Sequence, residues 1–222
     1  MRPLLLARSA VTAVALTLVA RTASAQTLFE IGTSGAGTAG PSVLMTGNTV
    51  ANGFTLSTAA TVRSASFWSE ECCNTPWAGT LTYSFFSAAN AFTPAATPFA
   101  SGVITQYTAT TLYSDVATNV VRRFDFNLPT PLALGAGDYF FALSVATTNG
   151  GSLGWRLVQG SGVSASRSNS ATDWTLQAGE AAFRLSASTF APAVVPEPST
   201  WALLGTGLAG LGLAVRYRQR PC

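Results

Sequence analysis

The chain of 222 residues has no histidine and no lysine. Without histidine it cannot build a Ser-His-Asp or Cys-His catalytic centre or a His-ligated zinc site. Charged residues make up only 9% of the sequence, and every cation is an arginine. We therefore expect a protein that is not an enzyme and that uses no cofactor and no metal.

The sequence also lacks a basic surface in its central part. The whole chain has a formal net charge of +3. Between Gln26 and Val195, however, there are six arginines and eight acidic residues, a net charge of about −2. The basic excess thus lies in the two terminal segments, and the central part has no charge pattern typical of nucleic-acid binding.

The first 25 residues have the three parts of a signal peptide. Two arginines precede an eleven-residue apolar run at 10–20, which is too short to span a bilayer. Ala23 and Ala25 then form a small-x-small cleavage pattern, so that cleavage would leave Gln26 as the first residue. We predict a signal peptide at 1–25 and export across the inner membrane.

The C-terminal segment has the features of a short transmembrane helix. Residues 199–215 carry no charge, and a helix of this length covers roughly 25 Å, a little less than the hydrocarbon core. Trp201 lies where interfacial aromatics belong. Three arginines follow the segment, and the positive-inside rule places them in the cytoplasm and the body of the protein outside. They are Arg216, Arg218 and Arg220.

The residues before this segment read Val-Pro-Glu-Pro-Ser-Thr, at 195–200. With the apolar segment and the arginine cluster they resemble the PEP-CTERM sorting signal, which implies processing by exosortase in the membrane of a Gram-negative bacterium. The resemblance further implies cleavage near Pro196, Glu197 and Pro198, transient membrane anchoring, and transfer to the cell surface or an exopolysaccharide matrix. We assign the sorting signal to 196–222, with the helix at 199–215, the arginine-rich tail at 216–222 and a linker at 191–195.

The central part, 26–190, is long enough for one domain and shows the period-two pattern of β-strands. Polar and apolar residues alternate in several stretches, and glycine-rich turn sequences separate them. No stretch has the 3.6-residue period of a helix. The pattern predicts an all-β, antiparallel β-sandwich, jelly-roll or immunoglobulin-like. The predicted strands are at 62–68, 80–85, 103–108, 123–128, 139–145, 153–158 and 183–185.

Parts of this domain resemble a β-sandwich ectodomain that recurs among PEP-CTERM proteins. The resemblance is carried by Trp-Ala-Gly-Thr-Leu at 77–81 and Leu-Gly-Ala-Gly-Asp-Tyr at 134–139, and by a final strand at 182–185. It implies a sandwich architecture and no enzymatic activity. Ala78 stands where the family pattern has an aspartate, so the resemblance implies no polar role there.

Adjacent cysteines, Cys72 and Cys73, are an unusual feature of the domain. Free thiols seldom persist in an oxidising compartment. Three states are open: a strained vicinal disulfide, an intermolecular bridge, or two thiols in a tight loop. We favour the vicinal disulfide, with loop rigidification as its role.

Two sets of residues are candidates for a site. Glu70 and Glu71 are adjacent, but we expect them to be solvated loop charges rather than the spaced carboxylate pair that glycosidase chemistry needs. The tryptophans offer flat faces for sugar rings. We expect Trp68 and Trp174 to be exposed and available for sugar contacts, and Trp77 and Trp155 to pack in the core.

Together these features predict an exported, exosortase-sorted protein of the cell envelope or extracellular matrix with a non-catalytic structural or adhesive domain. Its partners would be exosortase, the membrane before cleavage and exopolysaccharide, and not nucleic acid. The alternative function is a carbohydrate-binding module for exopolysaccharide. A hydrolase ranks third, because it would need converging carboxylates.

Overall fold

The computed structural model describes residues 26–32, 41–72, 77–114, 119–149 and 151–190. Twelve β-strands and no helix occur in these ranges. None of the described segments is a helix long and apolar enough to cross a membrane. The strands are β1 Thr27–Ile31, β2 Ser42–Leu44, β3 Asn48–Leu56, β4 Ala60–Cys72, β5 Gly79–Ser87, β6 Ala100–Ile104, β7 Thr108–Ser114, β8 Asn119–Leu134, β9 Gly137–Thr147, β10 Leu153–Ser168, β11 Thr175–Ala181 and β12 Phe183–Ser186.

All ladders between these strands are antiparallel, and they join the strands into one hydrogen-bonded network. The first half of the network contains β1, β12, β4, β8 and β7, with β2 joined through the start of β10. The second half has the order β11, β10, β3, β9, β5 and β6. The structure confirms the all-β, antiparallel class. The jelly-roll or immunoglobulin-like topology stays a prediction.

Strand β10 belongs to both halves. Its residues 153–155 pair with β4 in the first half, and its residues 164–168 pair with β3 in the second. Between these stretches the β10–β11 ladder changes register between Val158 and Val163. One long strand therefore passes from one half to the other.

An aromatic core lies between the two halves and holds them face to face. Phe141 on β9 lies 5.3 Å, centroid to centroid, from Phe183 on β12, and 5.8 Å from Trp155 on β10. Phe54 on β3 also meets Phe183, at 6.2 Å. Since the alternating strand residues place one face of each half toward the other, apolar burial at this contact is the main favourable contribution to folding.

Most predicted strands are present, and most are longer than the patterns indicated. The prediction of one strand at 103–108 is wrong. Strand β6 ends at Ile104 and pairs with β5, whereas β7 starts at Thr108 and pairs with β8. The sequence patterns did not predict β1, β2, β3 and β11.

Candidate functional site

A surface cleft of about 650 Å³ opens where β10 separates from β3. The β3–β10 ladder ends at the pair Asn52 and Ser164, and beyond it β3 continues on its other side along β9 as far as Leu56. The walls come from β1, β3, β9, the middle of β10, the end of β11 and the loop after β5. We call this opening the β3–β10 cleft; it is lined by Phe29, 52–55, Ala88, 90–92, 138–140, 162–163 and Glu180.

Asn52 closes the inner end of the cleft. Its side chain is 1% exposed, and its Oδ1 accepts a hydrogen bond from the backbone N–H of Ala181 at 2.8 Å. Its Nδ2 donates to the carbonyl oxygen of Gly53 at 3.2 Å. Because a buried unpaired amide is costly, these two bonds satisfy the Asn52 side chain, and the bond to Ala181 links β3 to the end of β11.

The rim of the cleft carries an exposed aromatic side chain. Phe92 is 57% exposed. Its loop is fixed by Asn90, whose Oδ1 accepts the backbone N–H groups of Phe92 at 2.9 Å and of Thr93 at 3.0 Å. Half-buried Tyr139 and Phe29 lie further inside. The asparagine turn thus holds an apolar ring at the entrance of a partly aromatic cleft.

The charges of the cleft have one sign. Asp138 and Glu180 are its two carboxylates, and no arginine lines it. The Oδ1 of Asp138 accepts a hydrogen bond from the hydroxyl of Thr55 at 2.6 Å, across the β3–β9 pair. Within the described residues the side chain of Glu180 makes no hydrogen bond and no ion pair, while its backbone lies in the β10–β11 ladder. The cleft therefore combines apolar rings with hydrogen-bond acceptors and negative charge.

A second polar region, the Trp68 face, lies on the side of β4 opposite to the aromatic core. It contains three ion pairs: Arg184 with Glu30 at 2.9 Å, Arg123 with Asp125 at 2.9 Å, and Arg156 with Glu70 at 3.5 Å. Ser66 donates a hydrogen bond to Asp125 at 2.7 Å, and bidentate bonding to Glu30 raises the pKa of Arg184 above its usual value.

The expected exposure of Trp68 is wrong, because this tryptophan is only 3% exposed. It lies in the middle of β4, not in a loop, and the Arg184 guanidinium lies 5.9 Å from its ring centroid. Arg123 occupies the position opposite Trp68 in the β4–β8 ladder. The ring is thus enclosed among charged side chains and offers no face to a sugar.

The expected exposure of Trp174 is not observed, because its side chain is partly buried. Its ring meets Phe86 edge-on at 5.5 Å, and the Arg167 guanidinium lies 4.4 Å from the ring centroid. Its buried Nε1 has no hydrogen-bond partner within the described residues. Desolvation in this contact lowers the pKa of Arg167. Trp174 packs beside Phe140, which lines the cleft, so its position adjoins the site without forming its surface.

Trp77 and Trp155 lie in the core, as predicted. Trp155 is fully buried and donates its Nε1–H to the carbonyl oxygen of Ala182 at 2.7 Å. Trp77 is 4% exposed and donates to the hydroxyl of Thr147 at 3.2 Å. Both indoles thus satisfy their polar atom while filling the core.

Glu70 and Glu71 are not solvated loop charges, and this expectation is wrong. Both lie in β4, so successive side chains point to opposite faces of the sheet. Glu71 is 2% exposed; it pairs with Arg122 at 3.2 Å and accepts the backbone N–H of Trp77 at 3.0 Å. Burial raises the pKa of Glu71 despite these two stabilising contacts. The two acids do not converge on one site.

Several predicted residues lie outside the described part of the chain. These are Cys73, the side chain of Cys72, the cleavage residues Ala23 and Ala25, the motif Pro196, Glu197 and Pro198, and the flanking residues Trp201, Arg216, Arg218 and Arg220. Within the described residues there is no group of three or more His, Cys, Asp or Glu side chains that could hold a metal ion.

The two ends of the described domain lie together. Gln26, expected as the first residue after cleavage, accepts the backbone N–H of Ala187 at 2.9 Å and donates its own N–H to the hydroxyl of Ser188 at 3.2 Å. Two residues later, Phe190 exchanges hydrogen bonds with the amide of Asn127, at 2.7 and 3.1 Å. Both segments that extend beyond the domain therefore start from the same end of the fold.

Comparison with known proteins identifies one segment of the chain. Residues 194–219 match the PEP-CTERM protein-sorting motif. No curated protein and no solved structure shows significant similarity to the chain. The predicted resemblance of the β-domain to a recurring ectodomain stays a prediction.

Proposed function

From the PEP-CTERM sorting motif at residues 194–219, we propose that the protein is exported, processed by exosortase and displayed at the cell surface or in the extracellular matrix of a Gram-negative bacterium. Its β-domain is non-catalytic and serves a structural or adhesive role. This proposal rests on the match to the sorting motif.

The position of the domain ends supports it. Gln26 and Phe190 are held at one end of the fold by hydrogen bonds to 187–188 and to Asn127. A domain attached in this way can fold while its C-terminal segment is still in the membrane, and it loses no strand when that segment is removed. The fold is thus compatible with removal of both ends.

A non-catalytic role is supported by the positions of Glu70 and Glu71, the adjacent acids that the sequence offers as a catalytic pair. Glu70 and Glu71 face opposite sides of β4, and each has an arginine partner. These two carboxylates therefore do not face one substrate, as the carboxylate pair of a glycosidase must.

Intact-mass spectrometry of the protein from an exosortase-positive host tests the proposal. We expect the mature form to start at Gln26 and to lack residues 199–222. A matched variant with Glu197→Ala should retain the C-terminal segment and stay with the membrane fraction. A secreted wild-type protein that still carries this segment, or a protein found in the cytosol, would refute the proposed processing.

The second candidate function is carbohydrate binding, and the β3–β10 cleft is the observation that favours it. The cleft has the size of a ligand site, and it presents the exposed ring of Phe92 beside carboxylate and amide groups. Trp68 does not support this function, because its ring is buried. Trp174 does not line the cleft but packs against a cluster that includes Phe140 of the cleft wall. Binding of the exported protein to polysaccharide in a native affinity gel tests it.

A further inference from the structure

We infer that the β3–β10 cleft binds a segment of a neutral or amino-bearing glycan and discriminates against acidic glycans. The inference rests on the second candidate function and adds the position of the site and the charge of its ligand. It does not depend on whether the sorting signal is cleaved.

The shape of the cleft fits one or two sugar units. Its volume of about 650 Å³ lies within the range of small-ligand sites, roughly 300–1,000 Å³. The opening arises because Asn52 ends the β3–β10 ladder and holds β11 in place. Most walls of the site are therefore strands that are already in place, and the loop that carries Phe92 is fixed by Asn90.

The apolar part of the cleft fits the C–H face of a pyranose ring. Phe92 stands 57% exposed at the rim and is oriented by the Asn90 turn. Tyr139 forms the adjoining wall and is itself held edge-on by Phe99 at 5.9 Å. A flat ring on a fixed loop loses little conformational entropy on binding, and its burial against a sugar face is favourable.

The polar part of the cleft consists of hydrogen-bond acceptors suited to hydroxyl and ammonium donors. Glu180 has both carboxylate oxygens unpaired within the described residues, and it lies against Gly162, where a side chain would clash with it. Asp138 uses one oxygen for Thr55 and keeps the other for a ligand. Sugar hydroxyls and amino groups donate to such carboxylates.

The charge of the cleft sets the class of glycan. Two carboxylates line it, no arginine does, and the chain contains no lysine. A uronate or sulfate group would face like charges with no counter-ion, which disfavours acidic polymers, whereas an ammonium group would be attracted. Neutral sugars would bind through their hydroxyl groups and the apolar face of the ring.

The experiment uses the exported protein in native gels that contain chitosan, one of a panel of neutral polysaccharides, or alginate. We expect retardation by chitosan or by a neutral polymer and none by alginate. Phe92→Ala should weaken binding about tenfold. Glu180→Gln should weaken binding to chitosan by about fivefold or more and affect a neutral polymer less.

Two control variants separate specific binding from surface effects. Asp173→Asn removes the same charge as Glu180→Gln from a position outside the cleft, and Leu176→Ala removes an exposed apolar side chain. Both should bind like the wild type. Retardation by alginate, no retardation by any polymer, or full binding by Phe92→Ala and Glu180→Gln would each overturn the inference, and unfolding of any variant is checked by its circular dichroism. Failure of export or processing would appear only in the mass measurement.

Discussion

Glu71 is a carboxylate enclosed at the edge of the core, and its environment has opposing effects. Burial disfavours the charged form, while the N–H of Trp77 and the guanidinium of Arg122 favour it. Burial has the larger effect, so the pKa of Glu71 is raised in the folded protein above its ordinary value of 4.5. The folded state therefore binds this proton more tightly than the unfolded state.

This shift predicts a pH dependence of stability. A group with a raised pKa contributes stability that is fully present below its unfolded pKa and is lost as the pH rises through its folded pKa. Urea unfolding of the wild type and of Glu71→Gln between pH 4 and 7 should show the wild type losing stability relative to the variant as the pH rises. The surface variant Asp173→Asn should follow the wild type. A wild type that gains stability over the variant would show instead that pairing with Arg122 dominates.

Single residues also show what the sequence can and cannot predict. Trp77 and Trp155 flank strand patterns, and their burial could be predicted from these alone. Trp68 is followed by Ser-Glu-Glu, and this polar sequence favoured an exposed loop. In the structure the ring is covered by Arg184, which lies on a strand 116 positions further along the chain. Local polarity cannot report such pairing, because the register of β12 on β4 is a long-range property.

At the scale of strands, Gly79 shows why a glycine is needed at the start of β5. A Cβ there would lie on the carbonyl oxygen of Ala146 in β9. The Trp-x-Gly sequence therefore allows β5 to approach β9 closely while Trp77 enters the core.

We predict that Gly79→Ala destabilises the protein by about 1–3 kcal/mol, because the strands must move apart. Gly135→Ala is the matched control: its Cβ would meet only the Tyr139 hydroxyl, at 3.8 Å, and the change should stay within about 0.5 kcal/mol. Denaturant midpoints measure both. Equal stability of the two variants would contradict the proposed close approach.

Asn52 lies where β3 and β10 separate, and its side chain accepts a buried backbone N–H there. We predict that Asn52→Ala lowers stability by about 1–3 kcal/mol, since the buried N–H of Ala181 loses its acceptor. Asn169→Ala, which removes an exposed contact with Thr49, is the control and should change little. Hydrogen exchange at Ala181 should become faster only in the Asn52 variant.

About half of the strands could be predicted from the sequence, and the cleft could not. Alternating residues predicted β5, β8, β9 and β12, because period two is a local property. The cleft depends on where the β3–β10 ladder ends and where the β10–β11 ladder changes register. Its lining residues at 52–55, 138–140 and 180 come from separate parts of the chain. The break between β6 and β7 was missed for a similar reason, since 103–108 keeps strand-forming residues throughout.

At the scale of the whole molecule, the adjacent ends predict tolerance of circular permutation. Joining Phe190 to Gln26 through a linker of about six residues, and opening the chain in the exposed turn at Asn169–Ser170, should preserve the fold. The permutant should unfold within about 1–2 kcal/mol of the parent. Opening the chain within β4 instead should prevent folding, and a permutant at 169–170 that fails to fold would contradict the described arrangement of the ends.

The strand shared by both halves has a consequence for unfolding. Because β10 pairs with β4 at one end and with β3 and β11 at the other, neither half can be peeled away while the other remains intact. In urea the two halves should therefore lose their structure in one cooperative transition, without a populated state in which only one half is folded. Tryptophan fluorescence and circular dichroism would then give the same midpoint.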